Sequence, residues 1–180
     1  MIEKTEYTFY DNELREKFLP ILKDKIFHVT SYSRFERIEE AGFIKSNVNG
    51  ELGYTYPQSE NSYGRKRGYI CLFDLRRKTE EEIQHGLDCF YFLGIRNLSN
   101  KQVHLILKDE YYEKLIYTEQ AKAEIGFREM WIPYVECWYP EDLPLSDIKE
   151  MIIVNIQRGP ETEALLKAME AIAESREKKG

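Results

Sequence analysis

The apolar positions of this chain change period several times, and each change marks an expected element. From Asp11 to Lys25 they fall at Leu14, Phe18, Ile21 and Leu22, a helical spacing in which Pro20 predicts a kink. The run Ile26 to Thr30 is too short for a helix and rich in β-formers, so it predicts a strand. Ser33 and Glu36 have the spacing of a capping box, and Phe35, Ile38 and Ala41 then share one face up to Gly42. This predicts a helix of about three turns stopped by that glycine. Residues Ser46 to Arg67 show no sustained period and read as a long loop. Gly68 to Asp74 is the next strand, and Thr79 to Gln84 a helix opened by threonine and a run of glutamates. Cys89 to Ile95, Gln102 to Leu107 and Met130 to Tyr139 follow as strand candidates, with a short helix at Asp109 to Leu115. Met151 to Ile156 is a last core strand, and Pro160 opens a helix carrying Leu165, Leu166, Met169 and Ile172.

The order of these elements is α+β, without the regular alternation of a doubly wound sheet. It divides one domain, residues 1–180, into an N-terminal helical segment (1–25), a core (26–156) and a C-terminal helix (160–178). A chain of 180 residues suits a single domain with a real core.

Composition adds two points. Tyrosine is abundant, with 13 Tyr and 9 Phe against 2 Trp, which suits a ligand cleft as well as a core. The net charge of −6 argues against a general binder of nucleic acid or anionic membrane. The acids are concentrated from Glu110 to Glu150, however. Between Ser62 and Lys78 the charge is basic, with Arg65, Lys66, Arg67, Arg76, Arg77 and Lys78 against Asp74 alone. Such a stretch either binds phosphate or forms a solvated turn.

Cys71, Cys89 and Cys137 are far apart and have no zinc-ligand spacing, so no metal is expected and the thiols read as reduced. The opening MIEKTEYTFY has no apolar run, and no segment approaches 18 apolar residues. The expectation is a cytoplasmic protein with no signal peptide and no membrane partner. The spacings of a phosphate loop, a dinucleotide glycine fingerprint, a zinc-protease helix and a serine elbow are all missing.

Two polar residues inside strands remain, His28 in IFHVT and Glu136 in WIPYVECWY. Taken singly, His28 reads as a satisfied core imidazole and Glu136 as an outward residue of an edge strand. A buried strand glutamate is costly unless paired, hydrogen-bonded or used.

Taken together they form a pattern. His28-Val-Thr-Ser-Tyr-Ser-Arg-Phe-Glu-Arg-Ile-Glu-Glu-Ala-Gly-Phe-Ile44 resembles the opening motif of the ADP-ribosyltransferase superfamily, a strand His-x-Thr followed by a helix. The stretch from Glu136 through Leu143-Pro-Leu-Ser-Asp-Ile148 to Val154 is similar to the closing motif of DarT-like members. Arg65 to Asp74 sits where that family has its middle strand. The resemblance covers residues 26 to 156. It implies a split antiparallel sheet with flanking helices and NAD+ as substrate. It also implies a macromolecular acceptor, nucleic acid or protein, and a toxin or phage-defence role.

On this resemblance Glu136 is the catalytic carboxylate, orienting a ribose hydroxyl and stabilising an oxocarbenium-like centre. His28 binds the dinucleotide, assisted by Thr30 and Arg34. One of Tyr54, Tyr63 and Tyr69 covers the nicotinamide, where stacking gains a cation–π term. Arg65 and Arg67 hold pyrophosphate or an anionic acceptor, and their interleaving with tyrosines suits a nucleic-acid strand. Two alternatives stay open: an RNA 2′-phosphotransferase-like enzyme, and a non-catalytic module of the same fold that binds a nucleotide or a protein. The resemblance requires His28 and Glu136 to share a face of the sheet. Finding them on opposite faces would contradict it.

Overall fold

The computed structural model describes residues 2–52, 57–94, 100–160 and 162–164. The chain opens with a strand, β1 (Glu3–Tyr10), where a helical segment was expected. Its inward positions, Thr5, Tyr7 and Phe9, alternate with exposed ones, and this period of two outweighs the charges of MIEKTEYTFY. The expected helix after it is there but irregular. A 3₁₀ turn (Asp11–Glu13) widens into a π turn (Leu14–Phe18) directly before α1 (Leu19–Leu22), whose Pro20 has no N–H to give the preceding turn. Leu14, Phe18 and Leu22 are buried along its inner side.

Strand β2 (Ile26–Ser31) and helix α2 (Tyr32–Ala41) follow as expected. The cap lies two residues earlier than the sequence pattern suggested: Ser31 Oγ accepts the Arg34 N–H at 3.3 Å. Gly42 ends α2 at φ +79°, with its N–H donating to Ile38 O at 2.8 Å. After β3 (Phe43–Ile44), the presumed loop contains a 3₁₀ turn (Pro57–Asn61) and a short helix, α3 (Tyr63–Lys66). Strand β4 (Ile70–Asp74) leads to α4 (Glu80–Cys89), closed at its start by reciprocal bonds between Thr79 and Glu82.

Helix α4 runs past Gln84 because Ile83 and Leu87 continue its buried face, so the strand expected from Cys89 does not form. Phe90 and Phe92 instead pack a turn onto the core. Then come β5 (Lys101–Leu107), a 3₁₀ segment (Asp109–Lys114), β6 (Ile116–Tyr117), α5 (Thr118–Ala121), β7 (Glu136–Tyr139), β8 (Leu143–Pro144) and β9 (Ile148–Gln157). The strand expected from Met130 begins only at Glu136. Pro133 lacks an N–H, and Tyr134 sits at φ 67°, a conformation no strand residue adopts. Helical structure resumes at Pro160 and continues through 162–164; the rest of the expected C-terminal helix lies outside the described residues.

Seven strands form one mixed sheet in the order β1-β9-β5-β2-β4-β7-β6, and β3 pairs separately with β8. All ladders of the large sheet are antiparallel except β1–β9, so the all-antiparallel expectation is corrected there. The pairing is thin near its centre, as it is at the β6–β7 edge. Strand β2 is paired with β5 from Phe27 to Ser31 but with β4 only at Ile26–Asp74 and Phe27–Phe73.

Each face of the sheet has its own apolar cluster. Leu14, Phe18, Phe27, Phe73, Phe92 and Ile152 lie on one side, and Ile26, Phe35, Leu72, Leu105, Cys137 and Ile153 on the other. Among the described residues no helix is long and apolar enough to cross a membrane.

Candidate functional site

The three strands that carry the motifs lie side by side, β2–β4–β7. His28 is the first residue of β2 beyond its last rung with β4. Its Nδ1 reaches across the opening to the carbonyl oxygen of Cys71, 2.9 Å away. Burial pushes the imidazole pKa down, and the Cys71 carbonyl partly opposes this by favouring a proton on the ring. Thr30, two residues on, is buried opposite Val103 of β5. Arg34 stands in the first turn of α2, where its backbone N–H is taken by Ser31.

Glu136 opens β7, only 5% exposed. Its Oε1 accepts the indole N–H of Trp138 at 3.0 Å, its Oε2 accepts the backbone N–H of Ile132, and the Cys71 thiol also bonds to the carboxylate. Burial raises its pKa, while these three donors act in the opposite direction. The same burial, with Glu136 alongside, pushes the Cys71 thiol well up. The carboxylate is therefore neither outward-facing nor on a bare edge: its donors come from its own strand, from β4 and from the segment before β7.

The ladder decides whether His28 and Glu136 converge. Phe27 is opposite Phe73, and Phe73 is opposite Glu136, so these three side chains share a face. His28 alternates to the other face, opposite Leu105, whose cluster also holds Leu72 and Cys137. The two residues thus lie on opposite faces, and the expectation of a cleft lined by both is not met. The reason is parity: His28 is an odd number of positions from the Phe27–Phe73–Glu136 row.

The tyrosines are also distributed differently from expectation. Tyr54 lies outside the described residues. Tyr63 is 1% exposed, its ring centroid 4.6 Å from that of Trp138, with Arg67 on its face at 3.8 Å. Its hydroxyl donates to Glu124 Oε2 at 3.2 Å, so it is a packed core residue and not an open stacking surface. Tyr69, half-buried, stands edge-on to it at 6.4 Å and is the less buried of the two in the Trp138 cluster.

The basic stripe is largely tied up inside the protein. Arg67 is held by both carboxylate oxygens of Glu129, by Glu124 O and by Tyr63 O. Arg65 Nε donates to Asn47 O at 2.9 Å. Arg76 forms two bonds with Asp74 and donates to the Tyr117 hydroxyl, with Tyr112 beneath its guanidinium. The reading of Arg65 and Arg67 as open phosphate contacts gives way to one of structural ties between α3 and the segments around it.

Trp138, Glu124 and Glu129 complete this region without having stood out in the sequence, together with Cys71, which the sequence marked only as a reduced thiol. Only Trp138 carried a usable signal: two residues after Glu136 in a strand, it must share its face. The acid–base pairs are joined by tertiary folding alone.

Two open clefts of about 740 and 440 Å³ occur elsewhere. One is lined by Tyr10, Lys101, Asn155 and Arg158 among others, the second by Arg15, Glu80, His85 and Asp88 among others. None of the expected site residues lines either. Among the described residues no group of three or more His, Cys, Asp or Glu side chains is arranged to hold a metal ion. Comparison with family models, with curated proteins and with solved structures finds no match.

Proposed function

We propose that this chain is a non-catalytic module that binds a nucleotide or a protein. The observation that carries the reading is the placement of His28 and Glu136 on opposite faces of the sheet, with the donor set of Glu136 already filled from inside the protein. The second reading is an ADP-ribosyltransferase-like enzyme that works from the Glu136 face without His28, taking NAD+ and transferring its ADP-ribose to a macromolecular acceptor, nucleic acid or protein; the adjacency of the three motif strands favours it. In that reaction the bond from nicotinamide to ribose C1′ breaks, nicotinamide leaves with the electron pair, and an acceptor nucleophile bonds to C1′ as it gives up its proton. The carboxylate of Glu136 stabilises the positive charge that develops on the ribose. To do so it exchanges at least one of its internal donors, Ile132 N–H, Trp138 N–H or the Cys71 thiol, for a ribose hydroxyl. Tyr69 is then the tyrosine on hand for stacking.

The RNA 2′-phosphotransferase alternative has less support, because Arg67 is already neutralised by Glu129.

The deciding experiment is incubation with labelled NAD+ and single-stranded DNA, RNA or protein acceptors, wild type beside Glu136→Gln. Nicotinamide release by the wild type that the variant loses supports the transferase. Tight nucleotide binding without release supports the module. Absence of both nicotinamide release and NAD+ binding rules out the transferase reading.

A further inference from the structure

Trp138 has an unusual combination of constraints for a strand residue. It is fully buried, yet its one polar atom is spent on a carboxylate two residues away on the same strand, Nε1 to Glu136 Oε1 at 3.0 Å. Its other side is fixed by α3. The Tyr63 ring packs on it at 4.6 Å, and a Cβ at Gly64 would lie 2.2 Å from Trp138 Cδ1 and 2.5 Å from its Nε1. The glycine thus lets the helix backbone approach the indole edge that carries the N–H. A ring clamped in this way cannot turn its donor elsewhere, so the Glu136 side chain is held in one orientation.

We propose that Trp138 is a positioning residue for Glu136: its indole N–H, clamped by Tyr63 and Gly64, fixes the carboxylate and favours its ionised form inside an apolar surround. This rests on the second reading above, in which Glu136 is the working carboxylate, and it extends that reading to a residue two places along the strand. A phenylalanine at 138 would fill most of the space but could not donate a hydrogen bond. The ionised carboxylate would then retain only Ile132 N–H and the Cys71 thiol. Among the described residues the titratable and charged groups around this pair are Cys71 on β4, Cys137 beside Glu136 on β7, and Tyr63 on α3 with the Arg67 guanidinium on its ring.

The test is a carbon-13 NMR titration of the glutamate side-chain carboxyls, with the Glu136 signal assigned by its loss in Glu136→Gln. In Trp138→Phe the Glu136 midpoint is expected to rise by about one pH unit or more, the loss of one charge-assisted hydrogen bond. An unchanged midpoint in folded Trp138→Phe overturns the proposal.

If that variant does not fold, the native residue serves as reporter in Trp131→Phe, where Trp138 is the only tryptophan. The indole N–H vibrational band of Trp138 should shift with pH at the Glu136 midpoint, and the shift should vanish when Glu136→Gln is added. A band indifferent to pH overturns the proposal. Neither readout depends on NAD+. A rise in midpoint together with absent nicotinamide release would therefore sustain the positioning role and sink only the transferase reading.

Discussion

A single nitrogen of Arg67, Nη1, lies 3.0 and 3.1 Å from the two carboxylate oxygens of Glu129, joining residues 62 positions apart in the chain. Glu129 in turn accepts the Gly126 N–H at 3.0 Å, and the backbone adds Tyr63 N–H to Met130 O at 2.9 Å. The segment before β7 is thus fastened to α3 by an ion pair set within a hydrogen-bonded turn.

Replacing Arg67 by Gln should lower stability by about 1 kcal/mol, a value kept small because the guanidinium is partly exposed to water. Urea unfolding measures it. Arg65→Glu with Arg67→Glu should destabilise more, and binding of single-stranded DNA or RNA should change little at concentrations where the double variant remains folded. A large loss of nucleic-acid binding by a folded double variant would return these arginines to the role expected from the sequence.

The Asp74–Arg76 pair is less exposed on its acidic side and more fully bonded. Asp74 is 6% exposed and takes two side-chain bonds from Arg76, whose proton is held more tightly chiefly because of that carboxylate. Arg76→Gln leaves the carboxylate with reduced compensation, and a loss of about 2 kcal/mol is expected. Asp74→Asn in the same background should add less than it costs alone, a coupling that a double-mutant cycle reads directly.

Gly64 and Gly42 separate two reasons for conserving space or conformation. At Gly64 an alanine methyl would collide with a buried indole, so Gly64→Ala should cost about 2 kcal/mol, or about 4–8 °C in Tm for a chain of this size. Gly42 has open space around its missing Cβ but sits at φ +79°, and Gly42→Ala should cost about 1 kcal/mol through the backbone alone. Thermal melts of the two variants should differ in that order.

His104 makes stability depend on pH. It is fully buried between Phe18 and Phe27, with Nε2 donating to Phe92 O, and burial lowers its pKa from 6.5 to about 4. As the pH falls below 6.5 the unfolded chain takes up a proton that the folded chain does not. The stability this residue contributes is therefore present above pH 6.5 and is lost as the pH falls toward 4, by about 3 kcal/mol in all. In His104→Gln, which keeps a donor for Phe92 O, urea midpoints at pH 7 and pH 4.5 should lie closer together than in the wild type. Equal slopes in the two proteins would show that the acid sensitivity arises elsewhere.

These cases also show what the sequence could reveal. The strand–helix unit from Ile26 to Gly42 was readable because its determinants are local: β-forming residues, a serine cap and a glycine stop within a few positions. The strand at β1 was equally local, but its alternation of Thr5, Tyr7 and Phe9 was hidden by charges on the outer face. The boundary of β7 depended on a positive φ at Tyr134, which nothing in a tyrosine announces. The fate of the arginines depended on partners brought in from distant segments. Basic residues at 65, 67 and 76 look alike in a sequence, whereas in the fold each has a different attachment. The relation between His28 and Glu136 needed the register of two ladders, which a one-residue slip would reverse.

The parallel pairing of β1 with β9 has a consequence for how the chain is made. β1 emerges from the ribosome on the order of ten seconds before β9. Among the described residues its one sheet partner is β9, which is made after all the other described strands and must enter between β1 and β5. Until it arrives both neighbours present unpaired edges, and a message truncated before Ile148 leaves β1 with no partner among the described strands.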